Sequence, residues 1–123
     1  MDSMSSNFDQ ATTDNTDYGQ EFKPVKCVYV IKKDGSKEVF NVQKVINAVG
    51  KSAYRALTKF TREEETHICQ YVVDKVNELE SDEIPIPIMH NIVESALEQV
   101  KPVVAKSYRD YRNYKQDFVR MLD

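Results

Sequence analysis

The sequence predicts an α+β fold in which four amphipathic helices form a bundle and a small three-stranded β-sheet caps it. Three observations predict this fold: an Asp-Gly turn between two short β-rich runs, several apolar stripes at helical spacing, and prolines that separate the stripes. A sheet of this size buries one face only by lying against the helices. The chain has 123 residues, which is enough for one hydrophobic core.

The first predicted element is a β-hairpin. An apolar run at residues 27–31 is followed by two lysines and the dipeptide Asp34-Gly35, and a shorter alternating run covers residues 37–40. Asp-Gly between two such runs is the strongest short-range signal of a hairpin. The pattern therefore predicts a tight turn with a positive φ at Gly35.

Two helices are predicted after the hairpin. Asn41 can cap a helix over about residues 42–57, where apolar residues recur at helical spacing. Thr61 begins a capping-box pattern and opens a second helix, which is expected to end near Glu80. Gly50 lies inside the first of these helices, and we interpret it as a place where another backbone approaches closely.

Prolines organise the rest of the chain. Residues 84–87 read Ile-Pro-Ile-Pro and are expected to be extended, because a residue before proline is excluded from the α region. They predict a short third strand, with Pro87 in the first turn of the third helix and Pro102 opening a fourth helix that runs to the chain end. The apolar positions of these two helices are Met89, Ile92, Val93, Ala96, Leu97, Val100, Val104, Tyr108, Tyr111, Phe118 and Leu122.

The first 22 residues differ in composition from the others. Residues 1–22 contain five acidic side chains, no Lys or Arg, and few aliphatic residues, so we predict a disordered acidic tail followed by one domain at 23–123. The remaining residues carry 17 basic and 15 acidic side chains. This mildly cationic balance suits an anionic ligand and is too weak to favour binding of nucleic acid.

Several classes of protein are not favoured by the sequence. It has no apolar run of membrane-spanning length and no basic segment followed by an apolar stretch near its start, so we expect a cytoplasmic protein without a membrane partner. Cys27 and Cys69 are predicted to be buried free thiols, and together with the two histidines they do not have the spacing of a metal site. With no P-loop and no Ser/His/Asp grouping, the chain alone is not expected to be an enzyme.

Three segments of the chain carry a family resemblance. They are Val30-Ile31-Lys32-Lys33-Asp34-Gly35 with Phe40, Lys44-Val45 and Ala48; Val93-Glu94 with Leu97; and Val104-Ala105-Lys106-Ser107-Tyr108-Arg109-Asp110-Tyr111-Arg112. In this order they cover about residues 25–115 and resemble the ATP-cone domain found at the N-terminus of ribonucleotide reductases. The resemblance implies a four-helix bundle capped by a three-stranded sheet. It also implies binding of ATP or dATP as an allosteric effector with Mg²⁺, where ATP turns the reductase on and dATP turns it off.

The resemblance and the chemistry of the side chains together give a set of candidate nucleotide-binding residues. Lysines near a tight hairpin suit phosphates, whereas a carboxylate and an amide suit the amino group and ring nitrogens of adenine. Because neighbouring strand residues point to opposite faces, one of the two hairpin lysines is expected to face the phosphates. The set is Val30, Lys32, Lys33, Glu38, Asn41, Lys44, Ile86, His90, Arg109, Arg112 and Lys115.

Each candidate also has an ordinary structural interpretation. A lysine pair before Asp-Gly is typical of a solvated hairpin tip, and a basic stripe on a helix is typical of an exposed face paired with acids. Three tyrosines at helical spacing favour packing over base stacking. The residues with such alternatives are Lys32, Lys33, Glu38, Lys44, His90, Tyr108, Arg109, Tyr111, Arg112, Tyr114 and Lys115.

The sequence-based hypothesis is therefore an allosteric domain that controls the activity of a ribonucleotide reductase. Its expected partners are an adenine nucleotide and the catalytic domain or subunit of the reductase, with a nucleotide-dependent oligomer. The chain stops inside a helical pattern, which suggests a piece of a longer polypeptide. The alternatives are an interaction module without a ligand and a cone-type transcriptional regulator of reductase genes. The second is disfavoured because residues 1–26 contain no Cys or His for a zinc ribbon.

Overall fold

A computed structural model describes residues 17–122, with side chains described for residues 17–112. In that part of the chain it shows an α+β fold, as predicted, with five helices and three strands. In chain order the elements are α1 (Tyr18–Glu21), β1 (Tyr29–Ile31), β2 (Lys37–Val39), α2 (Val42–Arg55), α3 (Arg62–Glu78), β3 (Glu83–Pro85), α4 (Ile86–Val100) and α5 (Pro102–Leu122).

The hairpin between β1 and β2 confirms the predicted turn. Gly35 has a φ of 88°, a region that glycine adopts without steric cost. The backbone N–H of Gly35 donates to the carbonyl of Lys32 at 2.9 Å, and the N–H of Lys32 donates to the carbonyl of Ser36 at 2.9 Å. The carboxylate of Asp34 accepts hydrogen bonds from the backbone and the hydroxyl of Ser36, which closes the loop.

The three strands form a mixed sheet in the order β2-β1-β3. β1 is antiparallel to β2 and parallel to β3, so the predicted third strand is present at one edge. The extended segment ends at Pro85, however, because Ile86 and Pro87 already form the first turn of α4. In the register, Val30 of β1 lies opposite both Glu38 and Ile84. Residues directly opposite each other share a face of the sheet. Because Val30 and Ile84 are buried, Glu38 points toward the helical side of the fold.

Both predicted helix caps are present. The side chain of Asn41 accepts from a backbone N–H in the first turn of α2, and Thr61 forms a complete capping box at the start of α3. The two helices end at Arg55 and Glu78, each two residues earlier than expected. α2 is followed by Leu57, whose φ is 61°. A left-handed residue just beyond the last turn is a common way to end a helix.

The long helices pack against one another beneath the sheet. α2 contacts α3 and α5, and α4 contacts the same two helices. The hydroxyl of Ser107 in α5 donates to the backbone carbonyl of Ser52 in α2 at 2.8 Å. This hydrogen bond joins the two helices directly. The buried residues contributed by these helices are Val42, Ile46, Val49, Ala53, Ile68, Cys69, Val72, Val73, Val76, Met89, Val93, Ala96, Leu97, Val104 and Ala105.

The predicted boundary of the acidic tail is wrong for residues 17–22. Asp17 caps the short helix α1, and the Tyr18 side chain is only 3% exposed and belongs to the core. The Tyr18 hydroxyl donates to Glu65 at 2.7 Å, so burial and a long-range hydrogen bond order a segment whose composition is polar. Residues 1–16 of the predicted tail lie outside the described residues.

Three further predictions require correction. A Cβ at Gly50 would meet nothing within 4 Å, so no backbone approaches that glycine. Cys69 is a buried free thiol, and burial raises its pKa to about 12. Cys27 is exposed, because side chains alternate along this extended segment and Cys27 shares the exposed face with Tyr29, opposite buried Val28. Tyr111 is 41% exposed, with the guanidinium of Arg55 3.7 Å from its ring centroid, and is not a core residue. The side chains of Tyr114, Phe118 and Leu122 lie outside the described ones.

Candidate functional site

A cavity of about 190 Å³ lies between the hairpin, α2, α4 and α5. It brings together six of the sequence-predicted candidates, which come from four separate elements of the chain. These six are Val30, Glu38, Asn41, Lys44, Ile86 and His90. Its remaining walls are Val39, Phe40, Val45, Ala48, Met89, Val93 and Tyr108.

Local structure explains how the polar side chains converge. Glu38 faces the helices because it lies opposite the buried Val30. Asn41 caps α2, and the backbone N–H of Lys44 donates to the carbonyl of Asn41 at 3.1 Å, so Lys44 lies one turn into the same helix. From the other side, His90 lies one turn after the start of α4. The short connection between β2 and α2 therefore places a carboxylate, an amide and an amine on one wall.

The carboxylate of Glu38 is the centre of the charges at this wall. It accepts a hydrogen bond from the ammonium group of Lys44, and the Nζ of Lys32 lies 3.8 Å from its other oxygen. The hydrogen bond from Lys44 and the charge of Lys32 hold the pKa of Glu38 below its usual range, although burial acts in the opposite direction. Glu38 is therefore an ionised acceptor at neutral pH.

His90 lies on the opposite wall beside Tyr108. The two ring centroids are 6.0 Å apart, and the rings meet edge to face at 78°. Burial lowers the pKa of His90, and the charges of Arg112 and Lys33 lower it further, against the opposing effect of Glu94. Its imidazole is consequently neutral at pH 7. Burial raises the pKa of Tyr108 to about 12, so that phenol is neutral as well.

The two hairpin lysines are placed differently. Lys32 lies on the face of the sheet that carries Glu38, as its ion pair with that residue shows. Lys33 lies in the turn, where the alternation of strand residues ends, and its charge still reaches His90. Neither lysine is part of the cavity wall, and Lys32 is joined to that wall through its ion pair with Glu38.

The candidates on α5 have partners on α4. Arg109 donates from Nε to Glu94 at 3.2 Å and from Nη2 to Glu98 at 3.1 Å, and Nη1 of Arg112 lies 2.6 Å from Glu94. That Glu94 oxygen is buried and accepts no well-aligned hydrogen bond, so its contact with Arg112 is an ion pair only. Arg109 does not line the cavity. The side chain of Lys115 lies outside the described ones.

Sequence reasoning did not assign two features of this site. Tyr108 packs against the core, as its spacing predicts, and it also forms a wall of the cavity. Glu94 belongs to a resemblance motif but had no predicted role, yet it pairs with both Arg109 and Arg112 of α5. No local pattern identifies this role, because Glu94 and Arg109 are 15 residues apart and meet only when α4 packs on α5.

A larger cleft of about 500 Å³ lies along another face of α2, between α1 and α3. Its walls include Tyr18, Gln43, Lys51 and Glu65, and none of its residues belongs to the segments that carry the family resemblance. The smaller cavity contains Val30, Phe40, Lys44, Val45, Ala48, Val93 and Tyr108 from those segments. The smaller cavity is therefore favoured over this cleft, and it is taken as the candidate site because it also contains six of the predicted residues.

The described part of the chain contains neither a membrane-spanning helix nor a cluster of metal-binding side chains. Between residues 17 and 122, no helix has both the length and the hydropathy needed to cross a bilayer. Among the same residues, no three His, Cys, Asp or Glu side chains cluster as they would around a metal ion.

Comparison with known proteins agrees with the geometry. No curated protein matches the chain. The family model described as the ATP cone domain matches residues 28–117, which is most of the sequence. The match begins just before β1 and extends into α5, so it includes the hairpin, the whole cavity, Arg109 and Arg112. The chain therefore belongs to the ATP cone domain family, whose members bind adenine nucleotides.

Proposed function

We propose that this chain is an allosteric domain without catalytic activity of its own, which binds ATP and dATP and controls the activity of a ribonucleotide reductase. The observation that carries the proposal is the cavity wall formed by Glu38, Asn41 and Lys44, opposite His90. Helices α2 to α5, in mutual contact, would act as the four-helix bundle beneath it. The link to a reductase rests on the sequence resemblance.

The polar wall has the chemistry of an adenine reader. The exocyclic amine of adenine is a donor, and the ionised Glu38 is an acceptor that lies within the cavity. Oδ1 of Asn41 accepts the capping hydrogen bond, so its amide offers the Nδ2 donors to a ring nitrogen. Guanine carries a carbonyl oxygen where adenine carries the amine. That oxygen would face a carboxylate, so we expect adenine to bind more tightly than guanine.

The triphosphate belongs at the cationic mouth of the cavity. The volume of about 190 Å³ is below the roughly 300–1,000 Å³ of usual ligand pockets, so a nucleotide extends beyond it. Lys32, Lys33 and Lys44 lie on the side where the hairpin meets α2. Mg²⁺ would be held by phosphate oxygens and water, which is its usual coordination with nucleotides.

A regulatory role requires that the domain has two arrangements. ATP and dATP differ by one ribose hydroxyl, and a ligand shifts an equilibrium only by its differential affinity for the two states. The hairpin and α5 are the proposed moving elements, because both carry cations next to the cavity and belong to different layers of the fold. Their movement would alter the surface presented to the catalytic domain or subunit, and therefore the assembly of the protein.

Titration calorimetry and thermal unfolding with MgATP, MgdATP and MgGTP test the binding proposal. Both adenine nucleotides should raise the melting temperature and release or absorb heat, since binding to the native state stabilises it by RT ln(1 + [L]/Kd). GTP should bind more weakly. The absence of heat and of any thermal shift at millimolar ATP would overturn the proposal and would favour an interaction module without a ligand.

The assembly proposal needs the parent reductase rather than this chain alone. Size-exclusion chromatography with light scattering should give different masses for the full-length protein with saturating ATP and with saturating dATP. Identical masses would exclude an assembly switch. Regulation would then act within one subunit.

A further inference from the structure

Helix α1, which precedes the family match, packs against residues that border the proposed nucleotide site. The ATP cone match begins at residue 28, whereas α1 covers Tyr18–Glu21. α1 is held at two points, because the backbone N–H of Tyr18 donates to Gln43 at 2.9 Å and the Tyr18 hydroxyl donates to Glu65 at 2.7 Å. These partners lie in the first turns of α2 and α3, so α1 crosses the beginnings of both helices.

The backbone of α1 touches the side chain of Asn41 at Gly19. A Cβ at position 19 would lie 2.4 Å from Oδ1 of Asn41 and 3.1 Å from both its Cγ and its Nδ2. No Cβ fits at that distance, so glycine is required for this contact. The contact leaves Asn41 little freedom to rotate toward α1.

Asn41 is also fixed from the α2 side and borders the nucleotide cavity. Its Oδ1 accepts a hydrogen bond of 2.8 Å from the backbone N–H of Gln43, the residue whose side chain receives the N–H of Tyr18. Residues 39–41 line both the nucleotide cavity and a second cleft beneath α1. α1 and a bound nucleotide would therefore meet the same side chain from two directions.

We infer that α1 is a strap that positions the amide of Asn41 for the bound nucleotide, with Gly19 as the positioning residue. The inference rests on the proposed function, because it concerns how that site holds adenine. It extends the binding domain upstream of the family match to residue 17. A chain without the strap would keep every residue that lines the cavity and would lose the orientation of one of them.

The first experiment compares Gly19→Ala with Gln20→Ala in the full chain by calorimetry with MgATP. In Gly19→Ala, Asn41 must rotate away from the new methyl group, so its donors leave the position that adenine requires. The Kd for ATP should rise about tenfold, and the ratio of the Kd values for GTP and ATP should fall. Gln20 is exposed, and its substitution should leave both values unchanged.

A double-mutant cycle separates positioning from general destabilisation. Asn41→Ser retains an oxygen that caps α2 and removes the amide. Asn41→Ser alone should weaken ATP binding, and adding Gly19→Ala should then change the Kd by less than about twofold, since no amide remains to be displaced. Equal effects of Gly19→Ala in both backgrounds would overturn the inference.

A measurement on the unmodified chain covers the case in which Gly19→Ala does not fold. In a ¹⁵N-¹H NMR titration with MgATP, the amide resonances of Gly19 and of the Asn41 side chain should shift with the same saturation curve, while exposed Asp74 on α3 should not shift. A stationary Gly19 resonance would overturn the inference. If the unmodified chain binds no ATP, the proposed function fails as well. If it binds ATP and Gly19→Ala binds as tightly, only the strap is excluded.

Discussion

Two groups of basic side chains lie near the cavity, and both have the residue types expected for phosphate binding. The hairpin-side lysines are Lys32, Lys33 and Lys44, and the α5 arginines are Arg109 and Arg112. Lys32 and Lys44 share one carboxylate, and their side chains are 50% and 61% exposed. The α5 arginines have two carboxylates on α4, and the side chain of Arg112 is 28% exposed.

The balance of charge distinguishes the two groups. On the hairpin side, three lysines face two nearby carboxylates, Glu38 and Asp34, so a net positive charge remains there. On α5, Arg109 and Arg112 are matched by Glu94 and Glu98. The planar fork of arginine suits carboxylates in a fixed geometry, whereas the ammonium group of lysine is a mobile point charge. The arginines therefore join two helices, and the lysines leave a net positive charge beside the hairpin.

The largest expected effect comes from removing the carboxylate that joins both α5 arginines. Glu94→Ala should lower the free energy of unfolding by about 3 kcal/mol, because a mostly buried carboxylate leaves two guanidinium groups without their shared partner. Chemical denaturation measures this change. Glu98→Ala is the matched control and should cost under about 1 kcal/mol, since that side chain is 52% exposed. Equal losses in the two variants would contradict a structural role for the α5 arginines.

Removal of a hairpin-side lysine should affect binding and leave folding nearly unchanged. Lys32→Ala or Lys33→Ala should weaken ATP binding by about 2 kcal/mol, roughly thirtyfold, through loss of a charge-assisted phosphate contact. The melting temperature without nucleotide should barely change, because both lysines are exposed. Lys106→Ala, an exposed α5 lysine paired with Asp110, is the control. If both single variants bind ATP like the parent, the phosphates lie along Arg109 and Arg112.

Arg109→Ala should have the opposite effect to the lysine variants, with a loss of stability and little change in ATP affinity. The guanidinium of Arg109 spans Glu94 and Glu98 outside the cavity, so the free energy of unfolding should fall, but by less than in Glu94→Ala because the arginine side chain is partly exposed. The Kd for ATP, measured by calorimetry, should change by less than about threefold. A tenfold loss of ATP affinity with unchanged stability would show that the arginine leaves its carboxylates to bind phosphate.

The smallest expected effect is on pH dependence through His90. Burial and the charges of Arg112 and Lys33 depress its folded pKa, so the unfolded chain takes up a proton first, near pH 6.5, and stability falls as pH decreases below that value. A bound triphosphate opposes the two cations and raises this pKa. ATP affinity should therefore increase about two- to threefold from pH 8 to pH 6 relative to His90→Gln.

His67 provides the control for this pH experiment. It lies exposed on α3, and its ring is 3.3 Å from Gln99, remote from the cavity wall. His67→Gln should keep the pH dependence of the parent protein. Because the protonation of ATP contributes equally for every variant, the differences between variants do not contain it. Identical profiles for the parent and His90→Gln would show that the imidazole does not sense the phosphates.

Features that depend on a few neighbouring residues were predicted correctly. The turn at Gly35, the cap at Asn41 and the capping box at Thr61 each close through hydrogen bonds within four residues. The same kind of local cause agrees with Ile84, which precedes Pro85 and lies in β3, but it fails at Ile86, which precedes Pro87 and nevertheless begins α4. Such elements are specified by residue types that are neighbours in the sequence, so they can be predicted without knowing the tertiary contacts.

Predictions that depended on distant partners failed or stayed incomplete. Residues 17–22 look like a tail by composition, yet Tyr18 is buried because its hydroxyl meets Glu65, 47 residues away. Gly50 looks like a contact point in a helix, yet α2 presents it to open space. The acids that pair with Arg109 and Arg112 lie on another helix, so the sequence could not identify them as Glu94 and Glu98.

By itself, the sequence determined the order of the elements from β1 to α5, the family and most of the polar groups at the candidate site. Hydrogen-bond spacing, proline geometry and apolar periodicity are local properties, and a chain displays them before it folds. Only the tertiary structure decided which carboxylates pair with the basic side chains. It also brought α1 against Asn41. Both outcomes depend on carboxylates and backbone groups that come together only when the helices bury a shared core. No short segment of the chain contains enough of these partners to predict the contacts.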